Sequence, residues 1–320
     1  MPIVVHLGLF VLGLIILGAG AELFIRGAVR VARKFGVSPF VIGLTLVGFG
    51  TSAPELVVNL SAALNGTPDI AVGNVVGSNI ANVGLILGAA AVLRTLTAHM
   101  RLLKVETPLV LAVSIAAWVM ARDGDIGRLD GAILLAGFVG TMTYIALTAR
   151  KEPPEVKEEL GKAAPKPERM WVSLVFLIVG LAGLVGGGEL MVRSAVNLAK
   201  TWVMSEAMIG LTIVAVGTSL PELASSVAAA ARGQSDIAVG NVVGSNLFNL
   251  LLILGATATV TPLPVDAGVL RFDLPAMVGF AVLLLLVLVN GLKVYRWEGT
   301  ILLLAYAGFI GWAVVRSQAG

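Results

Sequence analysis

Two glutamates stand inside long apolar stretches, each embedded in the same short motif. Gly50-Thr51-Ser52-Ala53-Pro54-Glu55-Leu56 recurs as Gly217-Thr218-Ser219-Leu220-Pro221-Glu222-Leu223. On a helix, Glu55 shares one face with Thr51 and Ser52, four and three residues before it. Thr218, Ser219 and Glu222 repeat that geometry. Proline has no N–H for the carbonyl four residues back, and its ring crowds that carbonyl. Pro54 therefore releases the Gly50 carbonyl and Pro221 that of Gly217, which predicts a broken helix at both motifs. A freed carbonyl in hydrocarbon must find a partner. A dehydrated cation is one.

A second polar pattern follows each motif. Asn74, Ser78 and Asn82 lie at i, i+4 and i+8 on an otherwise apolar helix, and Asn241, Ser245 and Asn249 do the same. Gly73 and Gly77 beside the first stripe have the spacing that lets a neighbouring backbone come close. Every group in this inventory is a hard oxygen donor: carboxylate, amide, hydroxyl or carbonyl. Calcium takes about 6–8 such oxygens, often with a bidentate glutamate. Zinc, copper and nickel favour imidazole or thiolate. The chain has no cysteine, and His6 and His99 lie at the N-terminus and in a loop. A glutamate at the bilayer centre costs about 2.5–3.5 kcal/mol even on a lenient insertion scale. Basic residues lie in loops or at span ends, so the natural counter-ion is a bound metal ion or a proton.

The elements that must position these groups are membrane helices. Of 320 residues, 58% are hydrophobic and 13% charged, against about 25% charged in soluble domains. Mean hydropathy is +0.97. Spanning the hydrocarbon takes roughly 20 apolar residues. Ten segments qualify: 3–25, 38–64, 70–93, 103–121, 129–149, 171–192, 205–231, 237–260, 269–290 and 297–316. The first lacks a basic start and a small-residue cleavage site, so it reads as a retained span. Residues 150–169 hold four prolines and eleven charges and form a solvated linker. The expected organisation is a five-helix repeat over 1–149, a cytoplasmic linker over 150–169 and a second five-helix repeat over 170–320.

Shifting the numbering by 167 superimposes the halves. Asp69 to Asn79 are identical to Asp236 to Asn246, and Glu22/Arg26 falls on Glu189/Arg193. Five is odd, so the second copy enters the membrane from the opposite side, as in the inverted repeats of secondary transporters. Loops after odd-numbered spans carry 16 of the 22 Lys and Arg. By the positive-inside rule both termini face outside and the linker faces the cytoplasm. Charge placed in this way fits membrane orientation and not nucleic-acid binding. The fold class expected is an all-α membrane protein of ten helices in two inverted repeats, with helices 2 and 7 broken at an ion site.

At these motifs the chain resembles the sodium/calcium exchanger branch of the cation/calcium exchanger superfamily, in its prokaryotic form. The doubled G-T-S-x-P-E-L and G-N-x-x-G-S-N motifs carry the resemblance, which covers the whole chain. It implies ion ligands at Thr51, Ser52, Glu55, Ser78 and Asn82, and at Thr218, Ser219, Glu222, Ser245 and Asn249. It also implies carbonyl ligands at Gly48 and Ala215. The function implied is sodium/calcium antiport by alternating access in a prokaryotic plasma membrane. The ions are transported substrates, and no cofactor, protein partner or nucleic acid is expected. Typically three sodium ions exchange for one calcium, an electrogenic cycle that two glutamates suit. Some relatives carry an aspartate where this chain has Asn82 or Asn249, which leaves proton and potassium dependence open. The long regulatory linker of animal relatives is missing.

Spans 1 and 6, rich in glycine, are expected to slide as a pair against the rest. The nearest rival is cation/proton antiport, since a buried glutamate also takes a proton. A channel is disfavoured by antisymmetric halves, and an intramembrane enzyme by the lack of H-E-x-x-H, Cys and buried His. Each hydroxyl alone reads as a helix back-bond; beside proline and glutamate, twice over, it reads as a ligand. Asn74 and Asn241 fit helix–helix bonding as well as ion contact. Asp69 and Asp236 read as helix starts, and Glu22/Arg26 and Glu189/Arg193 as local ion pairs.

Overall fold

The structure, a computed structural model, describes residues 3–35, 37–64, 68–148, 170–201, 217 and 219–319. The chain is helical almost throughout. In order, the α-helices are α1 (Ile3–Phe35), α2 (Pro39–Ile42), α3 (Gly48–Leu64), α4 (Pro68–Ala81), α5 (Gly88–Leu93), α6 (Thr107–Met120) and α7 (Arg128–Thr148). There follow α8 (Met170–Thr201), α9 (Leu220–Ala231), α10 (Ser235–Leu247), α11 (Leu254–Val260), α12 (Leu274–Val289) and α13 (Arg296–Ala319). Among the described residues, nine stretches are long and apolar enough to cross a membrane. They coincide with nine of the ten expected spans. The remaining one, expected over 205–231, falls largely outside the described residues, and α9 is its described end. The expected linker also lies outside them.

Several spans are not plain α-helix. Gly43–Val47, Asn82–Leu87, Leu102–Glu106, Phe248–Ile253 and Val269–Asp273 are π-helical turns. Such wide turns often mark functional positions. The first joins α2 to α3, the second α4 to α5, and the fourth α10 to α11. The 167-residue offset carries 102–106 onto 269–273 and Asn82 onto Asn249, so these distortions are duplicated along with the sequence.

The expected break of helix 2 at Pro54 is not found. Helix α3 runs through Pro54 without a gap. The proline removes one hydrogen bond and the helix continues past it; a separate irregularity, the π turn, lies upstream. There the Gly48 N–H reaches back to the Gly43 carbonyl. The second copy of the motif differs: Ser219 leaves helical geometry (φ −90°, ψ 6°) and α9 begins at Leu220. Pro221 thus sits in a first turn, where its missing N–H costs no hydrogen bond.

The centre of the molecule is the Ser235–Val260 span, 94% of whose most apolar stretch is buried, beside Ala71–Leu93 at 78%. Span 2 lies on α10 at backbone range. A Cβ on Gly244 would fall 2.3 Å from the Leu44 carbonyl oxygen, and one on Gly240 2.9 Å from that of Phe40. Such a close approach is thus seen at the counterparts of Gly73 and Gly77, which themselves have no described atom within 4 Å of an added Cβ. The stretch that the offset sets against them lies outside the described residues.

At the periphery α1 and α8 run antiparallel in backbone contact. Added Cβ atoms would lie 2.6 Å from the Leu184 nitrogen at Gly20, 2.4 Å from the Phe24 nitrogen at Gly180 and 2.5 Å from the Leu17 nitrogen at Gly187. Elsewhere α7 packs on α11 and α13 on α5, with Gly131 against the Gly255 carbonyl and Gly299 against that of Gly88. Two short antiparallel ribbons close the loops. β1 (Leu96–Thr97) pairs with β4 (Lys293–Val294), and β2 (Asp125–Ile126) pairs with β3 (Leu263–Pro264).

Candidate functional site

The two glutamates meet in the interior. Glu55 and Glu222 are each 2% exposed, and Glu222 reaches the first motif through Ser52, three residues before Glu55. They arrive by different routes. Glu55 is carried mid-helix on α3, where Asn59 Nδ2 donates to its backbone carbonyl at 2.7 Å. Glu222 lies in the first turn of α9, where the helix dipole favours a negative charge. Its backbone carbonyl accepts from Ser225 Oγ at 3.0 Å.

Three bonds stitch distant parts of the chain together at this level. Ser52 Oγ donates to Glu222 Oε1 at 3.1 Å, Thr51 Oγ1 is 3.3 Å from Asn241 Oδ1, and Asn82 Nδ2 donates to Asn246 Oδ1 at 2.9 Å. Gly48, where a carbonyl ligand is implied, lies against α10, an added Cβ falling 3.3 Å from the backbone of Gly244 and Ser245. Ser78, Asn82, Ser245 and Asn249 are all buried on the two central spans. Both asparagines sit at the π turns. Of the twelve candidate residues, Ala215 and Thr218 lie outside the described residues. The other ten are buried.

What these residues leave unsatisfied is informative. Seven buried oxygens have no hydrogen-bond partner among the described residues: Glu55 Oε2, Ser78 Oγ, Asn82 Oδ1, Ser219 Oγ, Glu222 Oε2, Ser245 Oγ and Asn249 Oδ1. Each orphaned buried group costs about 1–3 kcal/mol, more when charged. Ser219 is decisive against a capping role. It stands at the N-cap of α9, yet its hydroxyl makes no cap bond. The reading of Thr51 as a helix back-bond has support, since its hydroxyl reaches the Val47 carbonyl at 3.0 Å. No Lys or Arg pairs with either glutamate among the described residues. Arg232, at the end of α9, turns instead to Glu22 on α1. The donor set thus suits a dehydrated hard cation held between two carboxylates.

A family model described as "Sodium/calcium exchanger protein" matches residues 5–147 and 172–315. The chain belongs to the sodium/calcium exchanger family. It is 39% identical over 307 residues to the putative antiporter CaxA of Alkalimonas amylolytica, covering 94% of this chain and 96% of that one. It is 33% identical over 343 residues to the sodium/calcium exchanger MaX1 of Methanosarcina acetivorans, covering 96% and 98%. Its fold matches a solved structure of the sodium-calcium exchanger NCX_Mj soaked with Na+ and Ca2+, with a TM-score of 0.82 and 35% identity over 96% of this chain and 98% of that one. As an exchanger of this family, the chain is a membrane cation antiporter and not an enzyme.

Several participants were hidden in the sequence. Asn246 holds Asn82, and Ser225, Ser226 and Asn59 brace the glutamate-bearing helices. The expected pairs Glu22/Arg26 and Glu189/Arg193 form, but the Arg232 arm on Glu22, 210 residues away, had no local signal. Two further carboxylates, at corresponding positions of the two halves, each meet an arginine from a different place: Glu106 with Arg101 at 2.6 Å and Asp273 with Arg316 at 2.9 Å. Asp236 lies in the first turn of α10. The side chain of Asp69 is outside the described set.

Proposed function

We propose that this exchanger moves sodium against calcium by alternating access, with Glu55 and Glu222 as the charged pair at a common site. The observation that supports the reading is a pair of buried glutamates with no basic partner among the described residues, on elements whose buried candidate oxygens make no hydrogen bond there. All are hard oxygen donors of the kind calcium takes. The ligands are Thr51, Ser52, Glu55, Ser78 and Asn82 with Thr218, Ser219, Glu222, Ser245 and Asn249, joined by the Gly48 and Ala215 carbonyls. One calcium neutralises the two carboxylates; three sodium ions leave one surplus positive charge, so the cycle is electrogenic.

The architecture proposed is ten spans in two inverted five-helix repeats, 1–149 and 170–320, joined by a cytoplasmic linker over 150–169. The ribbons support it by parity. β1 and β4 are hydrogen-bonded and must share a side of the membrane, yet five described spans separate them. β2 and β3 are separated by three. Both pairings need one more crossing between residues 202 and 234, where α9 is the described end of a tenth span. The bias of Lys and Arg puts both termini outside the plasma membrane.

The pair α1 and α8 is the moving part. Their most apolar stretches are only 22% and 28% buried, and backbone contact makes them one body. They touch both glutamate helices near the site: Phe24 fills the space over Gly50, and Leu17 of α1 meets Gly188 of α8 beside Pro221. An occupied site lets the pair slide past neutralised carboxylates, whereas an empty one leaves two charges in a dry region.

The test is calcium uptake into proteoliposomes loaded with sodium. Uptake that follows the outward sodium gradient, with net positive charge leaving the vesicle as sodium exits, is the expected result. Uptake driven only by a pH gradient would replace this reading with cation/proton antiport.

A further inference from the structure

We infer that Asn241 is a positioning residue for the ion site: its side-chain carbonyl accepts the Thr51 hydroxyl's hydrogen bond when a cation binds, turning that hydrogen away from the Val47 and Gly48 carbonyls. The inference rests on the site proposed above, which contains Thr51 and the Gly48 carbonyl but not Asn241.

A threonine hydroxyl has one hydrogen to donate. Thr51 Oγ1 has three acceptors in range: the Val47 carbonyl at 3.0 Å, Asn241 Oδ1 at 3.3 Å and the Gly48 carbonyl at 3.4 Å. If the proton stays on its own helix, it occupies the same carbonyl edge that a cation would use. Given to Asn241, it leaves the backbone oxygens and the hydroxyl lone pairs facing the ion. Donation to Asn241 is therefore the arrangement compatible with occupancy.

Asn241 is built to stay an acceptor on that side. It is fully buried, and its Nδ2 faces Ser226 Oγ at 2.8 Å, Ser225 Oγ at 3.0 Å and the Glu222 carbonyl at 3.4 Å. A backbone carbonyl only accepts, so the amide nitrogen belongs there and flipping the amide would set two oxygens against each other. The same side chain thus ties the Glu222 backbone to Thr51 across two elements that each carry a candidate ligand. Ser225 and Ser226 have no equivalents in the first copy, where the offset gives Val58 and Asn59.

The test uses purified full-length protein, titrated with sodium and, separately, with calcium, and reads cation-dependent thermal stabilisation. Asn241→Leu is expected to raise the half-stabilising concentration about five- to tenfold, the weight of one neutral hydrogen bond. Asn241→Gln, which keeps an amide carbonyl for Thr51 and an amide nitrogen for the Glu222 carbonyl, loses less. Thr51→Val combined with Asn241→Leu is no weaker than the weaker single variant. Losses that multiply in the double variant would overturn the inference, as would Asn241→Gln binding more weakly than Asn241→Leu, the order expected of a packing role. Should Asn241→Leu fail to fold, Asn241→Gln losing as much as Thr51→Val decides against it. Wild-type protein that binds cations but does not exchange sodium for calcium defeats the proposed function and leaves this assignment standing. Wild-type protein that no cation stabilises defeats both.

Discussion

Glu55→Gln is the sharpest single perturbation, because it removes a charge and almost nothing else. The amide has the volume of the carboxyl, and Glu55 is 2% exposed with no basic partner among the described residues. With both glutamates ionised, a bound calcium is neutralised. With Glu222 alone, the same ion leaves one net positive charge in a pocket that excludes water. A charge held at the bilayer centre costs about 2.5–3.5 kcal/mol on the insertion scale. At about 1.4 kcal/mol per decade, that is a loss of calcium affinity of roughly 10²-fold. The assay is radiolabelled calcium uptake into sodium-loaded proteoliposomes across a range of calcium concentrations, with size-exclusion elution checking that the variant folds. The half-saturating concentration should rise by that factor, and Glu55→Gln with Glu222→Gln should abolish uptake. A half-saturating concentration unchanged in the single variant, or transport surviving in the double, would refute the reasoning.

Three other outcomes follow from the geometry. Ser52→Ala removes the donor to Glu222 Oε1; the loss of that donor alone would make the bare carboxylate hungrier for a cation. If Ser52 is also a ligand, calcium affinity falls about tenfold or more, and tighter binding in a titration would rule the ligand role out. Gly180→Ala sets a Cβ 2.4 Å from the Phe24 nitrogen and should cost about 1–3 kcal/mol in a thermal melt, while Gly186→Ala, with no described atom within 4 Å, should melt like the parent. Thr97→Cys with Lys293→Cys places two thiols at partner positions of an exposed ribbon in a chain without cysteine. Oxidation in intact membranes should cross-link them, and thiols reached by an impermeant reagent from opposite faces would break the ten-span topology.

Much of the architecture was legible because it was written twice. An eleven-residue identity fixes the offset, and with it the pairing of Glu55 with Glu222 that the structure brings together. Intrahelical spacing was equally readable, so Glu22 with Arg26 formed as expected. What failed to show were partners set by facing elements. Nothing near Arg232 announces Glu22, and nothing near Ser226 announces Asn241, because both contacts depend on how separate helices are docked. Pro54 shows a local rule yielding to its surroundings: α3 runs on through it, one hydrogen bond short. The π turns themselves have no residue-level signature here. Their duplication at 82–87 and 248–253 could be recognised only with coordinates in hand.

The exchanged ribbons bear on how such a chain is made. While only the first 149 residues have left the ribosome, Leu96–Thr97 and Asp125–Ile126 have no strand to pair with. Glu55, Ser78 and Asn82 likewise have nothing across from them. The nascent half is an unfinished surface that membrane chaperones or proteases must tolerate until its sequel arrives.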